Sequence, residues 1–188
     1  MPQVLGTRAK SAGETLMSTL LAREETQQPQ THHQNLMIIA IDPGVNGGIA
    51  WNDTDGPRAV RMPETDGDII ATLRNLQAAG AKTVVMELPA KAIFGAGHSS
   101  LAVLHRNVGF IQGVAMAIGF SLLLVQPKAW QKVIGISKRP GEEQRKWKNR
   151  LKEEAQRRFP NLHITLSTAD AVLILAAGLA AQNNNRQK

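Results

Sequence analysis

The stretch Leu36-Met-Ile-Ile-Ala-Ile-Asp42-Pro-Gly-Val-Asn-Gly-Gly-Ile-Ala-Trp51 constrains this chain more than any other. A run of branched apolar residues bounded by turn signals reads as a buried strand. Asp42 closes the run, Pro43 and Gly44 turn the chain, and Gly47-Gly48 lead into a second apolar run at Ile49. Glycines without a Cβ let backbone approach a neighbour closely. An acid at the end of a buried strand calls for a metal or another cation to compensate it. An ordinary hairpin, in which Asp42 starts the turn, would use the same residues.

Around this stretch the pattern predicts an α/β domain. Strands are expected at about 36–42, 48–53 and 57–62, joined by short turns into an antiparallel meander. Ile69, Ile70, Leu73 and Leu76 recur at helical spacing between Asp66 and Ala79, and Gly80 stops that helix. A strand over Lys82–Leu88 follows, then a glycine-bearing loop from Pro89 to Gly97, and a long helix from Ser99 to Ile118. A strand over Ser121–Gln126, a short helix opened by Pro127, a charged helix over Glu142–Arg158 and an alanine-rich helix over Thr168–Asn183 complete the chain. The expected sheet is mixed and five-stranded, three antiparallel strands and then two parallel, with helices on both faces. Residues 1–35 read as a separate, mobile extension: Ser11 and Glu14 have capping-box spacing before Leu16, Met17, Leu20 and Leu21, and a polar, proline-bearing linker follows. The compact domain is expected over 36–188.

The 188 residues carry a net charge of +7, which favours an anionic partner, nucleic acid first and a membrane surface second. There is no cysteine, so disulfides and thiolate metal sites are excluded. No apolar run reads as long enough for a membrane span and no secretory signal is recognised. The expectation is a protein that is not secreted, works in the cytoplasm or another DNA-containing compartment and needs no membrane.

Two further acids stand at informative places. Glu87 ends the strand Thr83-Val-Val-Met86 as Asp42 ends the first, and Asp170 begins the last apolar helix. If the two strands are neighbours, the three carboxylates converge at one end of the sheet. Mutually repelling carboxylates bind hard divalent cations, Mg²⁺ foremost. Two such ions would activate a water and stabilise the leaving oxygen in phosphodiester hydrolysis. Each acid has a plainer use: Glu87 at an exposed strand end, and Asp170 in a capping box with Ser167.

Lys138 to Arg158 holds nine bases against four acids, which suits phosphate neutralisation. A solvated helix face is the competing account, because Trp147, Leu151, Ala155 and Phe159 form an apolar stripe that would dock the helix. On that account Trp147 is a core residue.

In combination and in order, these segments resemble the RuvC-like Holliday-junction resolvases of the RNase H-like superfamily. The matching segments are Ile-Ala-Ile-Asp42-Pro-Gly, Val84-Val-Met-Glu87, Gly109-Phe-Ile-Gln-Gly113, Ala129-Trp-Gln-Lys-Val-Ile-Gly135 and Ala169-Asp170-Ala-Val-Leu, spread over about 36–182. The resemblance implies a homodimeric, Mg²⁺-dependent crossover junction endonuclease that acts on branched DNA such as a four-way junction. Two ions would be held by Asp42, Glu87 and Asp170, with Mn²⁺ able to substitute. It also implies a lysine reaching the scissile phosphate, for which Lys148 is the choice, and an aromatic that wedges into the junction, for which Phe94 is the choice. Phe94 packed onto the sheet is the alternative. Lys138, Arg139, Lys146, Lys148 and Lys152 are the expected DNA-binding bases. The chain departs from the family at Ser167, where relatives carry a further acid or a histidine. A non-catalytic DNA-binding relative, an RNA–DNA hybrid nuclease and an ATPase built on an Asp-Pro-Gly hairpin remain as alternatives. The last is disfavoured by length, since such folds pair two domains around their nucleotide. The helix from Ser99 to Ile118 is the expected dimer surface, through Leu101, Leu104, Val108 and Ile111.

Overall fold

The computed structural model describes residues 37–89 and 98–186. The expected N-terminal extension, its short helix and Phe94 lie outside the described residues. Five strands form one sheet in the order β3-β2-β1-β4-β5: β1 (Ile38–Asp42), β2 (Gly48–Asp53), β3 (Gly56–Arg61), β4 (Thr83–Glu87) and β5 (Ser121–Val125). The first three are antiparallel, and β4 and β5 run parallel to β1. The mixed sheet is therefore the expected one.

Side chains alternate between faces along a strand. On β1, Ile39 and Ile41 join the core under α1 (Asp66–Ala78) and α2 (His98–Ile118). Ile38 and Ala40 join the core under α3 (Pro127–Ile134), α4 (Gln144–Arg158) and α5 (Ala169–Arg186). Asp42 and Glu87 continue the register of Ala40 and Val85, so both fall on the second face. That alternation decides which helices can reach the acids.

The window Leu101–Ile118 is long and apolar enough to cross a membrane by length and composition, contrary to the expectation that no such run exists. Val108, Ile111 and Ala115 on it are nevertheless buried against the sheet, as a layer of the domain's core. The same packing removes Val108 and Ile111 from the expected dimer surface, because the sheet has claimed them. Trp147, Leu151 and Ala155 dock α4 as the apolar stripe requires, and Trp147 is a core residue.

Candidate active site

β1 and β4 run parallel with Ile41 opposite Met86, which places Asp42 and Glu87 next to each other at one edge of the sheet. The turn after β1 is built around Asp42. Its Oδ1 accepts from the Gly44 N–H at 3.1 Å, and the Gly47 N–H donates to the Gly44 carbonyl at 2.8 Å. A Cβ on Gly47 would stand 2.3 Å from the Asp42 carbonyl oxygen and 2.8 Å from its carboxyl carbon, so only glycine lets the turn fold over the acid. Gly48 does the same for the next layer. A Cβ there would lie 2.8 Å from the Val60 carbonyl oxygen and 2.9 Å from that of Ser167, just before α5. The hairpin thus receives the start of the last helix at backbone distance.

Asp170, in the first turn of that helix, is not used as a cap. Thr165 and Thr168 satisfy the helix start between themselves: the Thr165 N–H donates to Thr168 Oγ1 at 3.0 Å, and the Ala169 N–H to the Thr165 carbonyl at 3.1 Å. The capping box of Ser167 with Asp170 does not form. Asp170 Oδ2 instead accepts from Lys148 Nζ at 2.5 Å, while its buried Oδ1 has no hydrogen-bond partner. Lys148 follows the buried Trp147 on α4, and its side chain is 37% exposed against 8% for Asp170.

Asp42, Glu87, Lys148 and Ser167 line a cleft of about 690 Å³ with the turn residues Gly44 and Gly47. Asp170 is not on its wall. The three carboxylates stand within electrostatic reach of one another, Asp42 and Glu87 on the cleft wall and Asp170 in an ion pair with Lys148, which is itself on that wall. Among the described residues, no three His, Asp or Glu side chains stand ready to hold one metal ion. The groups still feel one another. Burial first, and then the charge of Asp170, raise the pKa of Asp42 above the usual carboxylate range, against the opposing pull of Lys148. Burial, and then Asp42, push Glu87 up to about 7. For Lys148, burial acts downward, but the charges of Asp170, Asp42 and Glu87 outweigh it and raise its pKa.

One site residue escaped the sequence reading. The buried indole of Trp130, on α3, donates from Nε1 to Glu87 Oε2 at 2.6 Å. In sequence it is an aromatic on the apolar face of a short helix, indistinguishable from filler. The only signal was its polar N–H, which needs a partner when buried. Trp130→Phe keeps a ring and removes the donor that lowers the Glu87 pKa. Glu87 should then titrate above about 7, read from its carboxyl carbon by NMR. An unchanged titration would mean that the bond does not form in solution.

No protein-family model matches the chain, and no curated protein matches it. Solved structures do. Thermus thermophilus RuvC in complex with Holliday junction substrate superposes with a TM-score of 0.55 at 13% identity, over 79% of this chain and 96% of that one. A second structure of T. thermophilus RuvC gives 0.55 at 14% identity, over 79% and 97%. The fold is RuvC-like. The RuvC-like order of elements is what sets Asp42, Glu87 and the start of α5 at one end of the sheet.

The expected DNA-binding bases scatter. Lys138, Arg139, Lys146 and Lys152 are exposed and lie outside the lining of the cleft. Lys152, one helical turn beyond Lys148, shares its flank of α4, whereas Lys146 falls on the other flank with Arg150. Arg150 is committed internally, to Glu142 at 2.8 Å and to the Ser137 carbonyl at 2.7 Å.

Proposed function

We propose that the chain is a structure-selective DNA endonuclease that resolves four-way junctions or related branched DNA by divalent-metal-dependent phosphodiester hydrolysis. The observation that carries this reading is the pair of strand-end carboxylates on the cleft wall, with Lys148 beside them in an ion pair to Asp170, at one end of the sheet of a RuvC-like fold. The T. thermophilus relative whose structure holds a Holliday junction supports the substrate.

The donor set suits hard cations in its chemistry. Burial and then the Asp170 charge raise the pKa of Asp42, burial and then the Asp42 charge raise that of Glu87, and the buried Asp170 Oδ1 lacks a partner. Bound there, Mg²⁺ or Mn²⁺, as one ion or two, would activate water and stabilise the leaving oxygen. Asp42, Glu87 and Asp170 would hold them, once Lys148 yields its ion pair. The chain's own parts do the rest. The Asp42 turn and the Trp130 indole fix the two cleft carboxylates in direction. An entering phosphate competes with Asp170 for Lys148, which then lends its charge to the scissile group. Ser167, on the cleft wall, offers a hydroxyl where a fourth acid would add charge, so the site demands more of the metal concentration.

A homodimer fits the apolar surface left on α2 and on the edge strand β5, where Val103, Met116, Leu123 and Leu124 are exposed. Phe94, seven residues after the end of β4 in the sequence, remains the residue proposed to open the junction. Such an enzyme works wherever its DNA is, in a bacterial cytoplasm or a cell carrying phage.

A second reading, a DNA-binding relative without catalysis, is favoured by Ser167 and by the ion pair that occupies Asp170 Oδ2. A synthetic mobile four-way junction, incubated with Mg²⁺ and with chelator, separates the two. Symmetric nicks with Mg²⁺ alone support the nuclease. Tight junction binding with no nicks in Mg²⁺ or Mn²⁺ overturns it.

A further inference from the structure

Three of the arginines on α4 are tied up by acids of the same segment. Arg150 pairs with Glu142, and Arg157 and Arg158 pair with Glu154. A different surface carries bases without acids. A groove of about 530 Å³ runs along α3 and the loop after it, lined by Lys128, Gln131, Lys132, Ser137 and Lys138 among others, and no acid lines it. Lys128 and Lys132 are one turn apart and exposed, opposite the buried Trp130 and Ile134.

Helix stability does not account for these lysines. Lys132 in the last turn complements the helix dipole, but Lys128 sits in the first turn, where the dipole disfavours a cation, and no acid stands there to offset it. Nor does the groove suit bases: no aromatic lines it, so it offers no stacking platform. Lysines with serine and glutamine donors and no aromatic ring suit phosphate oxygens. The position is also telling. Pro127, the first residue of α3, lines the cleft, and Lys128 is its neighbour. Eight residues of helix span about 12 Å, roughly three to four phosphate steps along the axis of one strand.

We infer that the α3 groove is a backbone track for duplex DNA, in which Lys128, Lys132 and Lys138 bind successive phosphates of an arm leaving the cleft. It rests on the proposed nuclease reading for the identity of the nucleic acid. Its contacts are independent of base sequence, and it makes α3 a two-sided element: Trp130 holds Glu87 inward, and the lysines hold the arm outward.

The test is junction binding by the full chain in chelator, across a salt series. Lys128→Gln with Lys132→Gln is compared with Arg74→Gln plus Lys82→Gln, an equal loss of charge at exposed positions on α1 and at the opposite end of β4. Each lost phosphate contact should lower the slope of log affinity against log salt by about 0.9. The α3 pair is expected to lower it by roughly 2 and to weaken binding at low salt by at least tenfold, while the control pair changes the slope by less than about 0.5. Equal slopes for the two pairs would overturn the track, because the effect would then be net charge alone. Failure of the nuclease reading looks different: the unaltered chain would bind junction and duplex no better than a neutral protein does, or would bind without nicking when Mg²⁺ is restored.

Discussion

Asp42→Asn, Glu87→Gln and Asp170→Asn should each cut metal-dependent nicking of a four-way junction by more than about a hundredfold, beyond the 10- to 100-fold typical of residues that only support a metal ligand. Junction affinity in chelator should stay within several-fold, since none of the three adds to the basic surface. The routes to the loss differ. Asp42 and Glu87 line the cleft, and their amides remove charge where a hard cation would sit. Asp170 is off the wall, and its amide also releases the Lys148 ammonium from its ion pair at 2.5 Å. Asp170→Asn should therefore bind junction slightly more tightly than the parent while nicking it least. Retained nicking by any one variant would remove that residue from the site.

In chelator, the domain should lose stability as pH rises from about 4.5 to about 7. Glu87 titrates at about 7 in the folded chain against 4.5 when exposed, because burial and the Asp42 charge disfavour its ionised form. Between those values the folded state holds a proton that the unfolded state has released, so each step up in pH favours unfolding. The shift corresponds to about 3 kcal/mol, or roughly 10 °C in melting temperature for a domain of this size. Asp42 is raised by burial and by Asp170, and adds in the same direction. Glu87→Gln should flatten most of the slope. Replacing chelator with Mg²⁺ should reverse it, because the ion binds only the deprotonated carboxylates. A flat profile for the parent chain in chelator would show that Glu87 is hydrated in solution and that the cleft is looser than its packing implies.

The carboxylates at the strand ends were legible in the sequence, because a buried strand has a period and a boundary, and an acid at the boundary has few ordinary reasons to be there. The mixed five-stranded sheet was legible from strand lengths and turn chemistry, whereas the pairing of β1 with β4 that joins two of the acids was only a condition until the structure showed it. The side-chain pairings were legible only in part. The ion pairing of Arg157 and Arg158 with Glu154 obeys local helical spacing and was open to a closer count, but that of Arg150 with Glu142 spans eight residues and a helix start. The bond from Trp130 to Glu87 joins positions 43 residues apart, through a side chain whose burial looks like any other. The ion pair of Asp170 depends on where the Lys148 side chain lands, which no one-dimensional pattern encodes. The helix cap was misread for a local reason. Thr165 and Thr168 offered the same chemistry as Ser167 and Asp170, two residues earlier, and they won.

The bare backbone of Gly48 has a consequence for how this protein opens. The β2 strand meets the Val60 and Ser167 carbonyls there with no side chain between, so the hairpin that shapes Asp42 and the helix that carries Asp170 touch as two pieces of main chain. Neither can swell away from water's reach by a side-chain rotation; they part together or not at all. Amide hydrogens of the β1–β2 hairpin and of the first turns of α5 should therefore exchange with solvent through a single shared opening, with one protection factor between them. The two halves of the cleft would then be lost, and regained, as one event.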